Sequence, residues 1–318
     1  MLEGKRCVGV RYEKDGLEHE VRANFEVIVS CGAANSPKLL ELSGIGNPEV
    51  LNSFNIEAVH SLPGVGENLR DHYAGILKWQ FNRPGISVAK RGRGLGLLIE
   101  LLKYGLFRKG FISQGMGTLR VFSRSRPGLD NPDIMMVVAP FLIEMGAGEN
   151  FRMSATNGFF MYSHMQRTES TGSIHIRSSD FRAPPAIRFR FLDTENDRQT
   201  AIRAIRQGRE IAAAKPLSDY IDKELQPGPE VQTDDEILEF LRNTGQITHH
   251  MVGTCRMGHD PMAVVDDRLQ VHGIEGLRVA DASIMPTIPS GNTSIPCVIV
   301  GEKCAAMVLE DAKSARST

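Results

Sequence analysis

Apolar and polar residues change their rhythm three times along the chain, and each change predicts a different element. Residues 5–12 and 21–31 alternate or cluster β-branched residues on either side of Lys14-Asp15-Gly16, which predicts a hairpin leading into a buried strand, Phe25-Glu26-Val27-Ile28-Val29-Ser30. Gly32-Ala33-Ala34-Asn35 reads as a turn. Ser36-Pro37 then offers a cap and a first-turn proline for a short Leu-rich helix that Gly44 ends. From about Tyr73 to Ile247 strand-like runs recur at Gly75–Phe81, Asp133–Pro140, Gly158–Ser163, Ser173–Arg177 and Ala186–Phe191. Two helices interrupt them: one opens near Asp193-Thr194-Glu195 with Ile202, Ile205 and Ile211 on one side, the other at Thr233-Asp234-Asp235-Glu236 with Ile237, Phe240 and Leu241. Strands in a block with helices set apart predict an antiparallel sheet backed by helices. The last segment predicts strands at Leu269–His272 and Leu277–Ala280, then a helix over Thr293–Leu309 with Pro296 in its first turn.

Composition changes this picture little. With 41% hydrophobic and 24% charged residues over 318 positions, the chain is an ordinary globular one that can bury one large core or two smaller ones. The net charge of -1 gives no sign of a nucleic-acid or membrane partner. Basic runs such as Lys90-Arg91-Gly92-Arg93 and Arg120 to Arg126 read as solvated loops. The longest apolar runs, such as Ile134 to Pro140, are too short to form a transmembrane segment. Five cysteines without CxxC spacing suggest neither a disulfide framework nor a zinc site, so a reducing, cytoplasmic setting is expected.

Candidate chemistry sits near the C-terminus. His249-His250-Met251-Val252-Gly253-Thr254-Cys255-Arg256-Met257-Gly258 places a histidine before a glycine-containing turn, where it can act as a base. Ser290-Gly291-Asn292-Thr293 opens an apolar helix and offers an oriented amide and free N–H groups beside a bound anion or cofactor. In wording and order these segments resemble the glucose-methanol-choline (GMC) family of FAD-dependent alcohol oxidoreductases. Three more stretches are similar to landmarks of that family: Gly32 through Gly46, Leu62-Pro63-Gly64-Val65-Gly66-Glu67-Asn68-Leu69-Arg70-Asp71-His72, and Gly276 through Pro286. Within the family the C-terminal wording is closest to the choline-dehydrogenase-like branch.

The resemblance implies a fold of mixed α+β and α/β character. Residues 1–72 would form the first segment of a partial FAD-binding domain, 73–247 the substrate-binding domain, and 248–318 the C-terminal segment of the FAD-binding domain with the catalytic residues. It implies His250 as the general base that takes the hydroxyl proton of a small-molecule alcohol while hydride leaves for FAD. Asn292 would hold the substrate oxygen, and Asn35, Asp281, Ala282, Asn292 and Thr293 would contact the cofactor. Asn68, Asp71 and His72 would fix a segment crossing it. His249 reads as structural, and His164 and His175 as core or surface residues.

The family's strand, GxGxxG turn and helix, which place the FAD pyrophosphate at a helix N-terminus, do not occur here. The nearest pattern, Gly64-Val65-Gly66-Glu67-Asn68-Leu69, lacks the third glycine and follows a proline. The chain therefore reads as a member lacking its N-terminal half, or one piece of a split enzyme, with its electron acceptor left open. The competing expectation is a non-catalytic fragment or interaction module that binds no flavin. A metal hydrolase built on His249, His250 and His259 ranks last, because HExxH and carboxylate-rich spacings are absent.

Overall fold

The computed structural model describes residues 1–114, 117, 119–145 and 151–317. It divides into two compact units: Met1–His72, Arg167–Phe191 and His249–Thr318 form the first, and Tyr73–Gln166 with Leu192–Thr248 form the second.

In the first unit the expected hairpin is present, Gly9–Lys14 pairing antiparallel with Leu17–Arg22. Asp15 and Gly16 between them both have positive φ (53° and 75°), as a two-residue type I′ turn requires. The strand Val27–Val29 follows and pairs in parallel with Leu277–Val279. The expectation of a buried strand over Phe25–Ser30 needs correction: Val29 is buried, but Phe25 is 58% and Ile28 44% exposed. Among the described residues this parallel sheet has only two strands, whereas parallel sheets ordinarily have both faces covered. The expected strand at Leu269–His272 is reduced to isolated bridges, because Asp266 caps the backbone N–H groups of Arg268 and Gln270 and holds a turn there.

The helix after Val29 runs Gly32–Leu42, so Ser36 and Pro37 lie inside it rather than at its start. Pro37 has no N–H to give to the carbonyl four residues back. That carbonyl, Ala33 O, instead accepts the buried Thr254 hydroxyl at 2.6 Å. The interior proline is thereby tolerated, and the first helical turn is tied to the 249–258 segment. Arg278, 1% exposed, is held by Glu26 at 2.6 Å, by Asp311 of the Ser294–Ser317 helix and by the Arg268 carbonyl. A buried guanidinium is sustained only by such complete pairing.

Segment 167–191 belongs to this unit, not to the 73–247 block expected from sequence. Its strands Ser173–His175 and Ala186–Arg188 pair only with each other. Leu69 and Gly172 exchange backbone hydrogen bonds, and Ile174 N donates to Gly66 O. Below them the Glu41 carboxylate, fully buried, accepts from His175 Nδ1 at 2.6 Å and from Ile176 N at 2.8 Å, while Glu67 takes His175 Nε2 at 3.0 Å.

The second unit is the antiparallel sheet backed by helices. Its strands run in the order Ile221–Gln226, Tyr73–Phe81, Gly158–Met165, Ile134–Ala139, Leu119–Ser123, with Gln246–Ile247 also on the Tyr73 strand. Alternation sorts the two faces. Ile76 and Phe160 join Phe141 and Leu142 on one, while Leu77 and Met161 lie against Gly208 of the Glu195–Ala213 helix on the other. The Asp234–Thr244 helix starts at the expected capping box, Thr233 with Glu236. A further helix, Gly94–Phe107, was not expected: Leu97, Leu101, Tyr104 and Phe107 occupy the other sides, so no polar face sets off the 3.6-residue period of Leu95, Leu98, Ile99, Leu102 and Leu106.

Candidate active site

The His250 loop lies between two other segments of the first unit. On one side Arg70 and Val252 exchange backbone hydrogen bonds, and on the other Gly253, Cys255 and Met257 donate to the carbonyls of Ala282, Ser283 and Ile284. Gly253, at φ +93°, sits where a Cβ would come within 2.4 Å of Asn68 O, so only glycine fits. The Asn68 amide reaches over this turn and donates to Gly253 O and Pro286 O. This loop geometry fixes where the imidazole points.

His250 is half-buried. Its backbone N–H donates to Asp71 Oδ1 at 2.9 Å. Its Nε2 lies 2.9 Å from Asn292 Nδ2, and its Nδ1 lies 3.0 Å from Nδ1 of the fully buried His72, the two rings meeting edge to face. With the Asn292 amide nitrogen donating, Nε2 of His250 is the acceptor. A neutral His250 then carries its proton on Nδ1 and donates it to His72 Nδ1. Burial lowers the His250 pKa below the ordinary imidazole value, and nearby His249 lowers it further, against the opposing pull of Asp71. The structure thus brings together the His250 imidazole, held toward its neutral form by burial, the Asn292 amide and a second histidine. His249 is exposed at φ +61° and makes no part of this chain of contacts.

The other expected site residues divide into two groups. Asn292 and Thr293 immediately precede the Ser294–Ser317 helix, and Thr293 O accepts the N–H of Cys297. Asn35 is exposed on the first turn of the Gly32–Leu42 helix. Asp281, by contrast, is turned toward protein. Its Oδ2 accepts from Gly32 N at 2.9 Å and Ser36 Oγ at 2.5 Å, and its Oδ1 from Ser283 N at 2.7 Å. A carboxylate at a helix N-terminus is favourably placed, so Asp281 joins the strand end Leu277–Val279 to the Gly32–Leu42 helix. Ala282 is buried beside it.

Sequence reasoning gave Asp71 and His72 only a part in fixing the chain, and missed His72 as the ring partner of His250. The signal was the Asn68-Leu69-Arg70-Asp71-His72 landmark itself, whose last two residues both touch His250. His164 is buried with its Nδ1 3.1 Å from Gln166 Nε2. His175 is spent on its two glutamates. Among the described residues no group of three or more His, Cys, Asp or Glu side chains is placed to hold a metal ion.

Comparison with known proteins agrees with these landmarks. The GMC oxidoreductase description matches residues 1–74 with its N-terminal part and residues 168–301 with its C-terminal part. An oxygen-dependent choline dehydrogenase of Chromohalobacter salexigens is 38% identical over 313 residues, covering 96% of this chain and 54% of the relative. The formate oxidase of Aspergillus oryzae RIB40, solved in a study of FAD modification, superposes with a TM-score of 0.89 at 25% identity over 98% of this chain and 58% of its own. Pyridoxine 4-oxidase from Mesorbium loti superposes with a TM-score of 0.80 at 25% identity over 96% and 55%. The chain thus spans about half the length of the curated relatives it matches. On its matched landmarks and its fold, the chain belongs to the GMC oxidoreductase family.

Proposed function

We propose that the first unit carries the catalytic and flavin-facing residues of an FAD-dependent oxidoreductase that oxidises the CH–OH group of a small alcohol, and that the second serves as its substrate-binding unit. The observation that carries this reading is the contact between His250 Nε2 and Asn292 Nδ2 at 2.9 Å. An alcohol hydroxyl has both of the capacities it would need to replace that contact. Its oxygen accepts from the amide while its proton passes to the imidazole. Because burial favours neutral His250, the lone pair is available near neutral pH.

The residues present fit one end of the cofactor. The outer side of the Gly32 turn is open, since a Cβ there would meet nothing within 4 Å, and the same holds at Gly291 beside Asn292. Backbone N–H groups at the start of the Ser294–Ser317 helix favour negative charge on a flat ring placed there. Asn35, Ala282, Asn292 and Thr293 would line the cofactor, with Asp281 shaping the wall by holding Gly32 and Ser283. FAD, when bound, supplies the acceptor for the hydride. His250 holds the hydroxyl proton at Nε2, Asn292 orients the oxygen, and His72 and Asp71 keep the imidazole aimed.

Choline is one candidate alcohol, since curated relatives bear that name. The single tryptophan, Trp79, is 3% exposed and stacked on Phe159 at 5.0 Å, so it does not contribute to an aromatic cage for the ammonium group. An aliphatic or aromatic primary alcohol fits the same base and amide. The test is anaerobic bleaching of flavin by choline, benzyl alcohol and a simple aliphatic alcohol, in the chain supplied with a GxGxxG-bearing segment from a curated relative. Reduction by at least one alcohol is expected, and none by any of them contradicts the reading. The competing reading, a chain that folds without flavin, is favoured by the lack of a GxGxxG unit in the sequence; absorbance at flavin wavelengths separates the two.

A further inference from the structure

The Gly94–Phe107 helix presents apolar side chains to solvent over most of its surface. Leu95, Leu98, Ile99, Leu102, Leu106 and Phe107 are between 45% and 73% exposed. At about 100° per residue, the first five share one face roughly 100° wide. The opposite side is anchored: Glu100, 3% exposed, accepts from Phe111 N at 2.8 Å and from Lys103 Nζ at 3.0 Å. A contiguous apolar face of this kind on a soluble surface marks an interaction site.

The charge around it narrows the partner. Lys90, Arg91 and Arg93 precede the helix, Arg108 and Lys109 follow it, and the one acid between residues 90 and 109 is the already engaged Glu100. Arg91, Lys103, Arg108 and Lys109, together with Glu100, line a cavity of about 440 Å³. Two copies of the helix packed face to face would bring cations against cations in either direction, because both ends are basic. With a rise of 1.5 Å per residue the helix is about 21 Å long, shorter than the roughly 30 Å hydrocarbon core of a bilayer. It can lie in the interface but cannot cross.

We propose that this face docks the protein on an anionic lipid bilayer. The leucine face sinks to the boundary between headgroups and acyl chains, and the basic residues that flank the helix at its two ends, Lys90, Arg91, Arg93, Arg108 and Lys109, take headgroup phosphates. The Lys90-Arg91-Gly92-Arg93 run, which reads from sequence as a solvated loop, becomes part of the contact.

Flotation of the 318-residue chain with vesicles tests it. Phosphatidylcholine vesicles containing about one-third phosphatidylglycerol should carry the chain upward, pure phosphatidylcholine should carry little, and added salt should release it. L98E/L102E, at positions more than half exposed, should keep the circular dichroism spectrum and lose binding. R108E/K109E should weaken binding by roughly tenfold or more, at about 1 kcal/mol per basic residue near the surface. Equal binding to neutral vesicles, no binding to anionic ones, or binding unchanged in both variants overturns the proposal. So does light scattering that shows a dimer split by L98E/L102E, which would assign the face to a second copy, or loss by the same variant of binding to a supplied GxGxxG-bearing segment.

Discussion

At the scale of single residues, Asn292 and Asp281 differ in what their side chains face. Asn292 is exposed with its amide on His250, whereas all the hydrogen bonds described for the Asp281 carboxylate go to protein donors. Different failures follow. Asn292→Ala should impair alcohol turnover and leave flavin bound, because the helix N–H groups behind it are backbone and survive truncation. Asp281→Ala should release flavin, because the Gly32 turn and the Ser283 N–H lose their shared acceptor. Flavin-to-protein ratio and reduction rate, measured in both variants of a flavin-loaded protein, decide it. The reverse pattern would exchange the two roles. His250, Asn292 and the Gly253 turn were legible in the sequence because local order carries them. The His72–His250 pairing was not, since 178 residues separate the partners and only folding brings the rings within 3.0 Å.

At the scale of elements, the Gly32–Leu42 helix is held by long-range partners that no local pattern reveals. Ser36 and Pro37 have the composition of a helix start, and the start moves to Gly32 because Asp281 receives the Gly32 N–H and Thr254 fills the carbonyl that Pro37 leaves unpaired. The same helix meets segment 167–191 through Glu41 and His175. Hydrogen bonds to Glu41 and Glu67 raise the His175 pKa to about 9 from an ordinary value near 6.5, outweighing burial. A histidine whose pKa is raised by folding contributes stability that is fully present below the unfolded value and lost as pH rises through the folded one. Denaturant unfolding should therefore show stability falling between about pH 6.5 and 9, and His175→Ala should flatten that decline. An unchanged slope in the variant would show that the triad does not carry it. The hairpin, the antiparallel sheet and two of its helices were legible from alternation and capping residues. The Gly94–Phe107 helix and the membership of segment 167–191 were not, because the first has no polar face to set off its period and the second depends on long-range pairing.

At the scale of the whole molecule, the chain brings His250 and Asn292 together just before the Ser294–Ser317 helix, but its sequence holds no GxGxxG turn of the kind that seats a pyrophosphate. The 318 residues alone should therefore bind FAD weakly or not at all. A stable yellow protein with one flavin per chain would contradict this. Among the described residues the parallel sheet has two strands and leaves Phe25 and Ile28 exposed, whereas parallel sheets ordinarily have both faces covered.

The measurement that bears most directly on the proposed chemistry is the rate of alcohol-dependent flavin reduction in His250→Ala and His249→Ala, each in the chain supplied with a GxGxxG-bearing segment. His250→Ala should slow reduction by roughly 10²–10⁴-fold, the usual size of a general-base contribution, and His249→Ala should matter far less. In the unaltered protein the rate should rise with pH as His250 loses its proton, with a midpoint below the ordinary imidazole value because burial favours the neutral ring. Equal losses at the two histidines, or a His250→Ala protein that reduces flavin at the original rate, would contradict the assignment of His250 as the base.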